Sequence, residues 1–398
     1  LASTSCRKAA GELLRQSIEG EPWNRGLALQ LAREECSDAL FRILIEGLAD
    51  RFERRLCDAY VEIFSCILEQ AFPEFHAIDL TARYQRIRDP QPVCFTPKRI
   101  AVLSRVTLGA DIAVTSVLLD AAAARFPAAE IWFAGSAKSA ELFHGFERVR
   151  HLNVPYIKGD LSQRLNAWRE LALQFQEDDW LVIDPDSRLT QLGLLPIAQE
   201  DHYRFFESRA FGDNGPDTLT TLTQQWAKET FGVVGLPRIA PPALAPPFPG
   251  PYAAVSLGTA DNPAKQMPAA FEAELIQEIC AHFPNVIVDR GFGEEEAARV
   301  EHAIAGTNAK TFAGTFAAFA SIIGNSACYV GYDSAGQHAA AAFGTPLITL
   351  FKGFVSDRMF ARWQPSGKGP QQVLKIEDSL AITAITAALS SFSSFQKA

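Results

Sequence analysis

The chain has 398 residues, 48% of them apolar and 21% charged, which is enough for two or three domains with cores of their own. A formal net charge of −9 argues against broad binding to a nucleic-acid backbone. The seven cysteines lack CxxC spacing, which argues against a zinc site or a disulfide framework and for reduced thiols in a cytoplasmic protein. No apolar run reaches the ~18 residues of a membrane span, and the first residues lack the apolar stretch of a signal peptide.

In chain order, residues 3–71 carry helical periodicity. Leu27 and Leu31, then Leu40, Ile43, Leu44 and Leu48, recur at steps of three and four. A second run includes Leu56, Tyr60, Ile63, Phe64 and Ile67. Two or three antiparallel helices would bury these faces against one another or against the next domain. The cysteines here read as small apolar core residues, and nothing in the segment forms a catalytic constellation.

From Pro97 the pattern changes to alternating strands and helices. A strand at 100–104 leads through the loop 105–111 to a helix at 112–124; a strand at 130–134 and a further helix follow, and 180–183 reads as a later strand. This spacing predicts a parallel, doubly wound sheet. The proline-rich run PRIAPPALAPPFPGP at 237–251 reads as an extended connector. Alternation then restarts, with strands at 252–257 and 285–289 and helices at 269–282, 294–305 and 316–323. The stretch ACYVGYDSAGQHAAAAFGTPLITLF, 327–351, reads as strand, tight polar turn, alanine-rich helix and strand; a final helix is expected over 376–395.

The expected architecture is α/β: two Rossmann-like, doubly wound parallel-sheet domains facing a cleft, behind an all-helical segment. The expected boundaries are 1–95 (helical), 96–236 (first Rossmann-like domain), 237–251 (linker) and 252–398 (second Rossmann-like domain). Ligands in such folds bind beyond the carboxyl ends of the strands. The polar residues falling there include Ser104, Arg105, Thr107, Asp111, Asp184, Asp186 and Arg188 in the first half. In the second they include Ser256, Gly258, Lys265, Arg290, Glu294, Glu295, Asp333, Ser334 and His338. Cations, hydroxyls, small residues and carboxylates together suit an anionic ligand bearing sugar hydroxyls. The turn at 332–336 precedes a helix whose first amides are unpaired, a natural anion site. An ordinary turn with Asp333 or Ser334 as N-cap is the local alternative.

Four segments resemble glycosyltransferase family 9, the heptosyltransferases. IAVLSRVTLGADIAVTSVLLDAAAARFPAAEIWFAG resembles the family's opening strand, leucine-glycine-aspartate turn and helix. VGYDSAGQHAAAAFGTPLITLF resembles its C-terminal signature, SLGTADNPAKQMP its lysine-bearing loop, and DRGFGEEEAARV its glycine-then-glutamate segment. The resemblance spans roughly residues 98–365 and leaves the helical prefix without a counterpart. It implies a GT-B fold and a metal-independent, inverting transfer of a heptose-like or hexose sugar from a nucleoside-diphosphate sugar to a hydroxyl, without a cofactor. ADP- or another nucleotide-linked sugar would be the donor, and a glycan, a lipid-linked molecule or a protein the acceptor.

Carried over residue by residue, Asp111 would be the general base, although Ala110 is inserted between it and Gly109. Lys265 and the amides of Ser334, Ala335 and Gly336 would hold the diphosphate. Asp333 would hold sugar hydroxyls or orient the turn, Ser256 would contact a phosphate, Glu295 the ribose (with Glu294 beside it), and His338 the neighbouring loop. Arg105, Thr107, Asp186 and Arg188, with the charged loop 202–209, would line the acceptor side. Asp184-Pro185-Asp186 imitates a metal-binding DxD pair from a different fold, and no metal role is expected of it.

Two other readings are carried. One is a GT-B enzyme of another reaction class, such as a sugar-nucleotide epimerase or phosphorylase. The other is a non-catalytic sugar- or partner-binding module, with the helical prefix as the surface for a partner or a second copy. A dinucleotide oxidoreductase is disfavoured because no GxGxxG follows either leading strand. The expected location is cytoplasmic, at most peripheral to the inner membrane.

Overall fold

The structure, a computed structural model, describes residues 3–212, 215–259, 262–376 and 382–393. Its first sheet contains β1 (Arg99–Leu103), β2 (Glu130–Gly135), β3 (Val149–Asn153), β4 (Trp180–Asp184) and β5 (Tyr203–Phe205), in the order β3-β2-β1-β4-β5. Its second contains β6 (Ala253–Ser256), β7 (Val286–Asp289), β8 (Lys310–Phe312), β9 (Cys328–Tyr332), β10 (Leu347–Phe351) and β11 (Gln371–Lys375), in the order β11-β10-β9-β6-β7-β8. Every pairing is parallel. The central strands are apolar end to end and buried on both faces, as a parallel sheet covered by helices requires. The strand order reverses at β1/β4 in the first sheet and at β6/β9 in the second, so each sheet opens a crevice there.

The helical prefix runs through Thr4–Glu19, Arg25–Leu31, the composite helix 37–49, Arg54–Ala71 and Ala77–Ile87. The periodic residues behave as expected: Leu31, Leu40, Leu44, Leu48, Leu56, Tyr60, Ile63, Phe64 and Ile67 are all buried. They share one continuous core with Leu103, Val182, Leu194 and Tyr203 of the first half. Full burial of such a side chain contributes about 1.5–3 kcal/mol, so the prefix is held by the sheet it covers. Polar groups stitch the same contact. The Tyr60 hydroxyl donates to the Gln191 carbonyl (2.5 Å), Arg83 to the Gly193 carbonyl (2.9 Å), and Tyr84 to Glu207 (2.7 Å), which also receives Arg88.

Three expectations change. Cys6 and Cys36 form a disulfide, so the reduced-thiol reading fails for this pair, and with it that argument for a cytoplasmic address. Their 30-residue separation carries no motif; packing of the first helix against the Glu34–Cys36 turn brings their Cα atoms within 5.2 Å. The charged segment 202–209 is not a loop on the acceptor side. Tyr203–Phe205 is an edge strand, and Glu207 and Arg209 are buried beneath the prefix. The last helix is Ile382–Ser393; the rest of the expected 376–395 helix is either Ile376, after β11, or outside the described residues. No described helix is long and apolar enough to cross a membrane.

Candidate active site

The second sheet's crevice lies between Ser256, which ends β6, and Tyr332, which ends β9. The nine-residue helix Ala335–Phe343 starts at its rim. Ser334 occupies the N-cap position, but its hydroxyl makes no capping bond, and Asp333 turns its carboxylate elsewhere. The ordinary N-cap reading therefore does not account for this turn. Gly336 is required from below: a Cβ there would stand 2.1 Å from the Tyr329 hydroxyl, which lies under the turn.

Lys265 comes in from the Pro263–Lys265 turn after β6. Its ammonium donates to the Asp333 carboxylate (2.5 Å) and carbonyl (3.0 Å), so the cation is held at the amino end of the helix. Gln337 completes the arrangement and was not picked out from the sequence. Its amide donates to the other Asp333 oxygen (2.7 Å) and to the Trp363 carbonyl (3.1 Å), and accepts from Thr349 (2.8 Å). Both of its acceptors can only accept, which fixes the amide's orientation. The available signal was the i, i+4 spacing from Asp333. His338 is 5% exposed, and burial, reinforced by the Lys265 charge, lowers its pKa to about 3.

The glutamate segment places a different residue than expected. Glu294 and Glu295 are exposed at the start of the Glu294–Ile304 helix. Glu296 instead turns in over the sheet edge. Its carboxylate accepts from the Phe292 amide (2.8 Å) and lies against Gly258 and Gly291. One residue of helical rotation, about 100°, separates the two outcomes.

In the first half, Asp111 is fully buried. Its oxygens accept from the Ser104 hydroxyl (2.7 Å), the Arg105 amide (2.8 Å) and the Thr115 hydroxyl (2.9 Å), closing the loop after β1. Burial raises its pKa despite these bonds. Residues Asp111–Thr115 form a wide π turn between Leu108–Ala110 and Ser116–Arg125. Such a turn takes up one extra residue within a helix, and here it coincides with the inserted Ala110 and an inward-facing carboxylate. Asp186 is also withdrawn from the expected acceptor side. It is buried at a left-handed φ of 67°, in a bidentate pair with Arg209 at 2.6 Å through each nitrogen. Thr107 is exposed, Arg188 pairs with Glu46 (2.9 Å), and Arg105 lies over the Trp363 ring at 5.9 Å.

The two halves meet directly at the site. A Cβ on Gly109 would stand 3.3 Å from the His338 ring and 3.4 Å from the Ala335 Cα, so the glycine lets the first half lie on the amino end of the Ala335–Phe343 helix. The prefix also reaches across. Glu46 binds Arg188 of the first half, while Phe52 packs edge-on against Trp363 (6.2 Å) and accepts through its carbonyl from Arg358 (2.5 Å), both in the second half.

Two doubly wound parallel sheets apposed at their carboxyl edges, with a cation and a helix amino end at one switch point, define the GT-B class. Solved structures bear this out. A family 9 glycosyltransferase from Veillonella parvula superposes with a TM-score of 0.57 at 12% identity, covering 77% of this chain and 99% of that one. E. coli heptosyltransferase WaaC with ADP gives 0.55 at 15%, covering 74% and 99%. E. coli ADP-heptose lps heptosyltransferase II gives 0.54 at 16%, covering 75% and 100%. Comparison with curated proteins gives no match. Residues 202–376 match the model of glycosyltransferase family 9 (heptosyltransferase). That stretch is less than half of the chain, so the family likeness is that of its second part, and what the whole chain shares with the solved structures is the GT-B fold.

Proposed function

We propose that the protein transfers a sugar from a nucleoside-diphosphate donor to an acceptor hydroxyl with inversion and without a metal. An ADP-linked heptose is the preferred donor class, because the similar WaaC structures hold ADP and ADP-2-deoxy-2-fluoro heptose and the family model is that of heptosyltransferases. The observation that carries this reading is the Lys265 ammonium fixed at the amino end of the Ala335–Phe343 helix, at the switch point of the second sheet. In this reading Lys265 exchanges Asp333 for the diphosphate, and the amides of Ser334, Ala335 and Gly336 receive its oxygens. Together they stabilise charge on the departing nucleotide. Asp333, held by Gln337, meets donor sugar hydroxyls; Ser256 lies on the phosphate side; Glu296 replaces Glu295 as the ribose contact. His338, neutral and against Gly109, positions the turn. Arg105, Thr107 and Arg188 face the acceptor, whereas Asp111 and Asp186 hold the loops that carry them.

The test is thermal protection by ADP, GDP, UDP and TDP, with and without their sugars, in the presence of EDTA. The expected result is protection of the wild type by at least one of them, and a drop in that affinity of about 10–100-fold in Lys265→Ala, the worth of a charge-assisted contact of ~1.5–3 kcal/mol. Absence of protection by every nucleotide and nucleotide-sugar overturns the reading.

A further inference from the structure

We propose that Asp50, carried into the cleft by the helical prefix, is the general base for the transfer; this rests on the glycosyl-transfer reading above. The cleft's other carboxylates are committed elsewhere. Asp111 and Asp184 are buried and bonded by their neighbours, Asp186 is paired with Arg209 and Glu46 with Arg188, and Asp333, held by Gln337, is given to the donor sugar in that reading. The position directly after Gly109 is Ala110, which has no carboxylate to offer. Asp50 is half-buried, and its carboxylate makes no hydrogen bond or ion pair among the described residues.

The backbone around Asp50 is costly and well anchored. Asp50 is the C-cap of the Glu46–Ala49 helix, where a carboxylate faces the negative end of the helix dipole. Two residues later Phe52, a buried non-glycine residue, adopts a left-handed φ of 56°, a strained conformation. On one side of Asp50, Glu46 is tied to Arg188 of the first half. On the other, Phe52 is tied to Trp363 and Arg358 of the second. Asp50 is thus fixed on a span between the acceptor and donor halves. Arg188, Lys265 and Arg209 are the cations near enough to act on it, and Glu46 is the neighbouring anion. Burial raises its pKa above the ordinary carboxylate value, in the direction that makes a better base near neutral pH.

In the step, the Asp50 carboxylate takes the proton of the acceptor hydroxyl as that oxygen's lone pair forms a bond to the anomeric carbon. The bond from that carbon to the β-phosphate oxygen breaks, and its electron pair leaves with the nucleoside diphosphate, which Lys265 receives. Asp50 ends as a carboxylic acid, and the anomeric configuration is inverted. With water as acceptor the products are the free sugar and the diphosphate.

The experiment measures nucleoside diphosphate release from ADP-heptose and from GDP-, UDP- and TDP-sugars by the full chain, wild type against Asp50→Asn, Asp50→Ala and Asp50→Glu. The expected result is a fall in turnover of about a hundredfold or more in Asp50→Asn and Asp50→Ala. Thermal protection by the nucleotide stays within about threefold of wild type in apparent affinity, and Asp50→Glu recovers part of the rate. Added azide, a nucleophile with no proton to lose, restores release in Asp50→Ala and yields the glycosyl azide, which a structural role for Asp50 would not allow. Turnover by Asp50→Asn equal to wild type overturns the proposal alone, as does loss of rate that azide fails to restore in a variant that still binds nucleotide. A wild type that binds no nucleotide overturns the underlying reading and the base together, and a variant without a folding transition overturns the catalytic assignment in favour of a structural one.

Discussion

Arg209→Met is expected to lower the unfolding free energy by about 3–5 kcal/mol, the cost of leaving a buried carboxylate without its counter-charge. Asp186 is wholly enclosed, sits at a left-handed φ, and receives both guanidinium bonds at 2.6 Å with a third from the Ser208 hydroxyl at 3.1 Å. The Arg209 guanidinium also lies over the Tyr60 ring at 5.3 Å, so the pair sits where the prefix meets the first sheet. Removing both charges in Asp186→Asn/Arg209→Met should recover much of the loss, because the penalty belongs to the isolated charge and not to the pair's own attraction. Urea unfolding of the two variants beside wild type is the measurement. Equal destabilisation in single and double variants would mean that packing against Tyr60, and not the uncompensated Asp186, sets the cost.

The same pair shows where sequence reading stops. The alternation of apolar strands and helices placed β1, β2, β4, β6, β7, β9 and β10 to within about two residues, because a strand buried on both faces is a continuous apolar run. The edge strands β3, β5, β8 and β11 escaped it. β3, β8 and β11 are part-exposed and carry polar residues such as Arg150, Lys310 and Lys375; β5 is three residues in a charged stretch. Lys265 is reached through the resemblance of its segment to the family's lysine-bearing loop, supported by its place after a strand and an Asn-Pro turn. The direction of a carboxylate did not follow. Asp111 and Glu295 come from the family resemblance and Asp186 from its place after a strand, and neither signal gives a side chain its direction. A π turn at Asp111, a left-handed φ at Asp186 and one step of helical rotation at Glu295 decided which way each points. Asp50 could not have been found this way, because it lies in a helical segment outside every matched motif and reaches the cleft only through the packing of the prefix.

The second large effect is acid lability centred on His338. An unfolded histidine takes up its proton near pH 6.5, whereas His338 in the folded chain resists it down to about 3, because the buried ring would be charged beside Lys265. Between those values the unfolded state binds the extra proton, so stability rises with pH across the window and is lost as pH falls below 6.5. The histidine alone accounts for about 1.4 kcal/mol per pH unit, and roughly 4–5 kcal/mol over the full window. Asp184 and Asp289, whose burial raises their carboxyls to about 6, push the other way, since a folded state that holds extra protons loses stability as pH rises from 4 to 6. The informative quantity is therefore the difference between wild type and His338→Gln in urea titrations from pH 4.5 to 7.5. The variant should lose the His338 slope and gain on wild type as the solution is acidified. A nucleoside diphosphate at the amino end of the Ala335–Phe343 helix would bring negative charge to the same ring and favour its protonation. Starting from about 3, that pull leaves the ring neutral between pH 7.5 and 5.5, so nucleotide protection should change with pH alike in the wild type and His338→Gln. Parallel stability profiles for the two proteins would show that the ring is solvated on acidification and that the contact with Gly109 opens before it titrates.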